Sequence, residues 1–204
     1  MIHENAVTDF CPKAFSPQIQ SSAFVHPLAA VIGHVLIGRL VFVGPFASIR
    51  GDEGHPLHVG DEANVQDGVV IHALQTETRG ESIENNLVTV AGKNYALYIG
   101  NRVSLAHQAQ IHGPAVVGEG TFVGMKTLVF KASVGKNCVL EPGCQVMGVK
   151  IEDGRYVPAG TVVREQTQAD KMPVITDHYP LAGMNEKVVS VNTRLAEGYH
   201  RVKL

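Results

Sequence analysis

The chain has 204 residues, 45% of them hydrophobic, enough to bury one sizeable core, so one domain with a terminal appendage is expected. A formal net charge of −2 gives no electrostatic footprint for nucleic acid or an anionic membrane, and three cysteines (Cys11, Cys138, Cys144) are too few, and odd in number, for a disulfide framework. No apolar run approaches the ~18 residues of a spanning helix, and the N-terminus lacks the basic and apolar regions of a signal peptide, so a soluble cytoplasmic protein is expected.

Residues 1–22 show no period and contain Cys-Pro and Ser-Pro, which disfavour helix before each proline; they read as an extended arm. From there the chain repeats. Aliphatic residues fall at Val25, Val31, Ile37, Val43 and Ile49, then at Val59, Val65 and Ile71, then at Ile99, Leu105, Ile111, Val117, Val123 and Val129. Two five-residue steps reset the phase and give Val134, Leu140, Val146, and then Ile151, Val157, Val163. A period of six is neither helical nor simple alternation; it is the mark of hexapeptide repeats winding into a parallel β-helix. The residue two places before each is Ala, Val, Leu or Cys at 16 of the 20 positions, which makes a second inward column of small side chains and a narrow prism. Three hexapeptides per turn give about seven coils over 23–165, roughly 30 Å tall at ~4.8 Å per strand. No coil buries its apolar face alone, so the stack folds as a unit.

Two long steps interrupt the repeat and must be loops thrown out of the prism. The first is Gly51-Asp-Glu-Gly-His-Pro. The second runs from Ala73 to about Tyr95 and carries Glu77, Arg79, Glu81 and Glu84. Both leave coils close to the histidines discussed next, which favours a functional role. After Val163 a linker (166 onward) leads to a helix expected from Asn185 as N-cap to Tyr199. Val188, Val191 or Asn192, Leu195 and Tyr199 form its buried face against the prism. Cys138 and Cys144 occupy the same repeat position on successive faces, too far apart for a bridge.

Assigning repeat positions in turn to three faces puts Ile71 and Ile111 on one face in adjacent coils, if the 28-residue step between Ile71 and Ile99 replaces a single turn. Each is followed by a histidine, and neighbours on a strand point to opposite sides. His72 and His112 therefore point outward at adjacent-strand spacing, close enough to share a metal ion. His107 belongs to the turn entering that face, and the corner separates it from the pair. Supplied by a neighbouring subunit, it would complete a three-histidine set. Three neutral imidazoles and an open position make the ligand set of a catalytic zinc; iron and cobalt also suit imidazole. The other histidines have no such register.

Ser48-Ile-Arg-Gly-Asp-Glu-Gly, Asn64-Val-Gln-Asp-Gly-Val-Val-Ile-His72, Ser104-Leu-Ala-His107-Gln-Ala-Gln-Ile-His112-Gly-Pro and Asn192-Thr-Arg-Leu-Ala-Glu-Gly-Tyr resemble γ-class carbonic anhydrases, over a likeness that runs from about Ile19 to Tyr199. The resemblance implies a left-handed parallel β-helix and a homotrimer with interfacial metal sites bound by His72, His107 and His112. It implies that Arg50 and Asp52 tie subunits together, and that Glu53 orients substrate and helps proton transfer. Asn64, Gln66 and the helix residue Asn192 would line the site. Two positions depart from the family. Gln75 stands where the best-known archaeal members carry a proton-shuttling glutamate, with Glu77 the nearest substitute, and Ser190 replaces an active-site tyrosine. Glutamine cannot ionise, so these changes bear on turnover rather than on metal binding.

The implied activity is reversible hydration of carbon dioxide to bicarbonate and a proton by a metal-bound hydroxide, with the proton leaving through Glu53 and Glu77. Two other classes share the fold: a hexapeptide acyltransferase using one histidine as general base, and a catalytically weak or silent relative that binds metal and bicarbonate or serves as an assembly scaffold. Metal content separates the first from a carbonic anhydrase, and an activity assay the second.

Overall fold

Twenty aliphatic residues in register impose three flat sheets. The computed structural model describes residues 1–202, and its strands form a three-sided prism with eight parallel strands on the first face and seven on each of the others. Ascending the first face, the strands are Ile2–His3, Ala30–Gly33, Ser48–Gly51, Val70–His72, Gln110–His112, Leu128–Phe130, Gln145–Met147 and Val162–Val163. The second face runs from Gln18–Ile19 to Lys150–Ile151, and the third from Phe24–Val25 to Tyr156–Val157. The fold is a left-handed parallel β-helix. Among the described residues no helix is long and apolar enough to cross a membrane.

Ile71 pairs with Ile111 and His72 with His112, so the 28-residue step replaces one ordinary turn. Val31, Ile49, Ile71, Val129, Val146 and Val163 are fully buried in a single continuous core, and Ala29, Ala47, Ala63 and Ala109 fill the small-residue column beside it. Where a buried threonine stands in that column its hydroxyl is satisfied: Thr121 donates to the Gly135 carbonyl (2.8 Å) and Thr127 to that of Glu141 (3.1 Å). Coils stack so closely at the corner after the second face that a Cβ on Gly60 would stand 2.6 Å from the Asn101 nitrogen, which accounts for a glycine there.

Three expectations need adjustment. The N-terminal arm contributes strands: Ile2–His3 pairs with Val31–Ile32, and Gln18–Ile19 with Leu36–Ile37, so the first face gains an eighth rung beyond the seven expected. The long loop is built of two hairpins, Glu77–Thr78 with Glu81–Ser82 and Val88–Val90 with Lys93–Tyr95. The C-terminal helix begins two residues early. After a short helix, α1 (Gln166–Ala169), α2 spans Met184–Tyr199 and is capped by Gly183 in the left-handed region rather than by Asn185. Asn185 instead donates to the Arg102 (2.9 Å) and Gly120 (2.8 Å) carbonyls, tethering the helix to the prism. The buried face is Val189, Asn192 and Ala196, leaving Val191 and Leu195 exposed. Tyr199 stacks on Phe24 at 4.7 Å, fixing the helix over the third face.

All three cysteines are free and buried. Burial pushes the Cys144 thiol up to about 11. Two histidines outside the His72/His112 cluster are held neutral by burial, each bonded through Nδ1 to a carbonyl. His34 lies on Gly54 (3.2 Å) and stacks on Phe15, and His58 lies on Ile99 (3.2 Å) and stacks on Tyr98. The unfolded chain takes up these protons near pH 6.5 while the folded chain resists them, so their stabilisation is present above about pH 6.5 and is lost below it. Urea midpoints of metal-free protein should accordingly fall between pH 7.5 and 5.5, and fall less in His58→Phe.

Candidate functional site

The pairing of Val70–His72 with Gln110–His112 turns Ile71 and Ile111 into the core and leaves the two imidazoles side by side outside it, ring centres 5.4 Å apart and 78° inclined. His112 Nδ1 lies 3.0 Å from the Gly113 carbonyl, to which it donates, leaving Nε2 with a free lone pair. Phe130, one rung higher, packs against His112 at 5.3 Å. One rung lower, Arg50 Nη2 donates to His72 Nε2 at 2.9 Å. The first loop then brings Asp52 Oδ1 to 3.4 Å and Glu53 Oε1 to 3.2 Å of the same nitrogen. Burial and the Arg50 charge lower the His72 pKa, more than the two carboxylates raise it. His72 is thus neutral at pH 7, and its contacts with the carboxylates are not full ion pairs. Arg50 Nε lies 3.6 Å from Asp52 Oδ2, while Asp52 Oδ1 is buried with no hydrogen-bond partner among the described residues. Arg50, His72 and His112, with Val70, Leu128 and Phe130, border an open groove of about 400 Å³ on the first face.

A second polar cluster lies around the corner between the third and first faces. His107 stands in the turn after Ser104–Leu105, half exposed, with Nδ1 3.4 Å from Asp67 Oδ2. Turns stack here through backbone bonds from Gln108 to the Asp67 carbonyl (2.9 Å) and from Lys126 to that of His107 (3.1 Å). On the adjoining third face Gln66 Nε2 donates to Asn64 Oδ1 (2.9 Å) and Asn64 Nδ2 donates to Ser104 Oγ (2.8 Å), all three side chains buried. Helix α2 lies across these strands with Asn192 on its buried side, the Asn192 amide donating to the Val188 carbonyl. Leu28, Phe46 and Met125, in stacked turns of the His107 corner, are exposed.

One chain therefore unites His72, His112, Arg50, Asp52 and Glu53, and separately unites Asn64 with Gln66 and His107 with Asp67. His107 does not border the groove that holds the other two histidines. Gln75 donates to the Glu77 carbonyl (2.7 Å) and its own carbonyl accepts from Asn86 (2.7 Å), so it braces the long loop. The Glu77 carboxylate lies 3.6 Å from His55 Nδ1. Sequence reasoning missed Ser104, although Ser104 and Asn64 share a repeat position on one face and the register could have found it. It also missed Thr76 and His55, which no periodicity marks.

Asp52, Glu53 and His72 offer ligand atoms within 4.8 Å of one another, a set that could hold a cation; the positive charge in contact with it is Arg50. The paired imidazoles fit a divalent transition metal better. His112 has Nε2 free, His72 is held neutral, and the orphaned Asp52 oxygen gives Arg50 an alternative partner.

No protein-family model matches the chain. Over 199 residues it is 58% identical to a carbonic anhydrase of Methanosarcina thermophila, covering 97% of this chain and 81% of that one. A carboxysome assembly protein of a Nostoc species is 40% identical over 182 residues, which cover 89% of this chain and 31% of that longer protein. A solved hexapeptide transferase family protein from Anaplasma phagocytophilum superposes with a TM-score of 0.68 at 24% identity, over 91% of this chain and 93% of that one, a likeness of fold.

The buried amide chain is itself testable. Asn64→Ala strands the Gln66 amide and the Ser104 hydroxyl, and should cost about 1–3 kcal/mol of stability, read from the denaturant midpoint.

Proposed function

The chain belongs to the γ-class carbonic anhydrase family, and from that premise we propose that it interconverts carbon dioxide and bicarbonate at a metal shared between neighbouring copies in a trimer. The ligands are His72 and His112 of one copy and the partner subunit's His107. One observation carries this reading: the His72/His112 pair and His107 lie on either side of a corner, so a single chain offers each half of a three-imidazole set and not the whole. Exposed Leu28, Phe46 and Met125 beside His107, and the groove bordered by Val70, Leu128 and Phe130 beside the pair, are complementary apolar surfaces. A zinc, iron or cobalt ion so held supplies the nucleophile by acidifying water at neutral pH.

The remaining work falls to the chain's own side chains. Val70, Leu128 and Phe130 give the site an apolar wall suited to a nonpolar gas. Arg50 turns from His72 to the free Asp52 oxygen or across the interface, which opens His72 Nε2 for ligation. Glu53, 3.2 Å from that nitrogen, orients carbon dioxide and accepts the proton released as water adds to it. Gln75 cannot carry that proton onward, because an amide does not ionise; its side chain instead braces the loop. Glu77, whose carboxylate lies 3.6 Å from His55 Nδ1, takes it to solvent. Overall, carbon dioxide and water give bicarbonate and one proton.

The acyltransferase reading rests on fold alone. A silent scaffold is favoured by Gln75 and by the carboxysome assembly relative; an absence of carbon dioxide hydration by metal-loaded protein would establish it.

Two experiments test the active reading. Neither His107→Ala nor His72→Ala alone should hold the metal tightly, yet subunits of the two mixed in one trimer should regain one intact site per trimer, read by metal analysis. Failure of the mixture to regain metal would show that the ligands come from one chain. For proton exit, turnover should rise with imidazole concentration. Gln75→Glu should raise the rate at low buffer with less effect at high buffer, and Glu77→Gln should deepen the dependence; rates independent of buffer in wild type and Glu77→Gln would remove the relay.

A further inference from the structure

Thr76 lies in the long loop, beyond any repeat, yet its side chain is fully buried. Its amide and its hydroxyl both donate to the Glu53 carbonyl, each at 2.9 Å. The same hydroxyl oxygen accepts from the His55 amide at 2.7 Å and lies 3.3 Å from His55 Nδ1. Between those two residues Gly54 has φ +110, and a Cβ there would stand 2.4 Å from the Thr76 oxygen. Glu53, Gly54 and His55 thus wrap around one hydroxyl, and only glycine at the middle permits so close an approach. The Thr76 carbonyl is anchored in turn by the Ile83 amide at 2.8 Å, which closes the first hairpin of the loop.

The consequence lies at the metal-ligand pair. Glu53 leaves this clamped backbone and reaches His72 Nε2 with its carboxylate at 3.2 Å. Its loop is short, and among the described residues no side chain apart from Thr76 donates to the Glu53 carbonyl. A carboxylate that must orient substrate and accept a proton needs its position held to a fraction of an ångström. We propose that Thr76 is the positioning residue of Glu53: it touches neither substrate nor metal, and it holds the first loop against the second so that the Glu53 carboxylate stays at the site. This deepens the carbonic anhydrase reading and rests on it for its kinetic consequence.

The test compares Thr76→Val, which keeps shape and removes the hydroxyl, with Thr76→Ser, which keeps the hydroxyl, both as metal-loaded assembled protein. Thr76→Val should lower kcat about tenfold, the scale of one buried hydrogen bond, with metal content unchanged, while Thr76→Ser stays within about twofold of wild type. The loss should vanish in the background of Glu53→Ala, because two residues acting as one unit are not additive. Independently of activity, amide hydrogen exchange at His55 and Thr76 should quicken about tenfold in Thr76→Val and not in Thr76→Ser. Wild-type kcat in Thr76→Val, or a loss that adds to that of Glu53→Ala, overturns the proposal. A wild-type protein that hydrates no carbon dioxide overturns the activity reading instead, and the exchange measurement then decides the clamp alone, with unchanged His55 exchange counting against it.

Discussion

The pairing of Ile71 with Ile111 is the constraint on which the site depends. Strand side chains alternate with a period of two, so a slip of one residue would exchange every inward aliphatic for its outward neighbour. Each such column residue contributes about 1.5–3 kcal/mol by burial, and twenty of them share one core, so the register has no competitor of similar energy. His72 and His112 are the outward partners of residues that cannot move. Their separation is therefore fixed by the core beneath them, without any ligand to organise it. This explains how a site on the outer face of a prism, where side chains are ordinarily free, can be preorganised.

The carboxylates are positioned by a different device. Asp52 and Glu53 stand in a loop leaving the corner after the first face, and the long loop leaves the same corner one coil above, after His72. Because both loops exit at one edge in successive coils, they stack, and Thr76 joins them. The N-terminal arm packs beneath: the Asp9 carbonyl accepts from the Arg79 amide, and buried Cys11 accepts from Asn5. Regular repeats thus set the imidazoles, and an irregular annex of hydrogen-bonded loops sets the acid.

This division decides what could be read from the sequence. Periodicity placed Ile71 and Ile111 on one face, and with them His72 and His112, because in a repeat fold spacing is position. It failed wherever the chain left the repeat. Ile2–His3 carries too short an apolar pattern to announce a rung, and only its pairing with Val31–Ile32 makes it one. The helix face was misplaced by one residue because Val191 and Leu195 fit the helical spacing as well as Val189 and Ala196 do; the Asn185 tether and the Tyr199–Phe24 stack choose between them. Thr76 was invisible because its role consists of three hydrogen bonds across 23 residues of chain, and a threonine in an acidic loop reads as solvated. Glu77 was legible as an acid near the site, but not its pairing with His55.

The same repeat that fixes the histidine pair also keeps one chain from completing the proposed three-histidine set. His107 precedes Ile111 on the strand path, but the corner turns its side chain away from the groove that His72 and His112 share, and it lies beside the Asp67 carboxylate there. Relieving this within one chain would mean unwinding a corner whose backbone is bonded to the coils above and below. The proposed docking of a second copy's corner against the first face needs no such distortion, and it would cover Phe46, Met125 and the groove wall, which are exposed on a single chain. In the proposed trimer, assembly and metal binding would be linked by mass action: whatever stabilised the three-imidazole set would stabilise the interface by the same free energy. On that proposal the release of Arg50 from His72 would belong to the same equilibrium, since the guanidinium and a metal would compete for one nitrogen and Asp52 has an oxygen to spare.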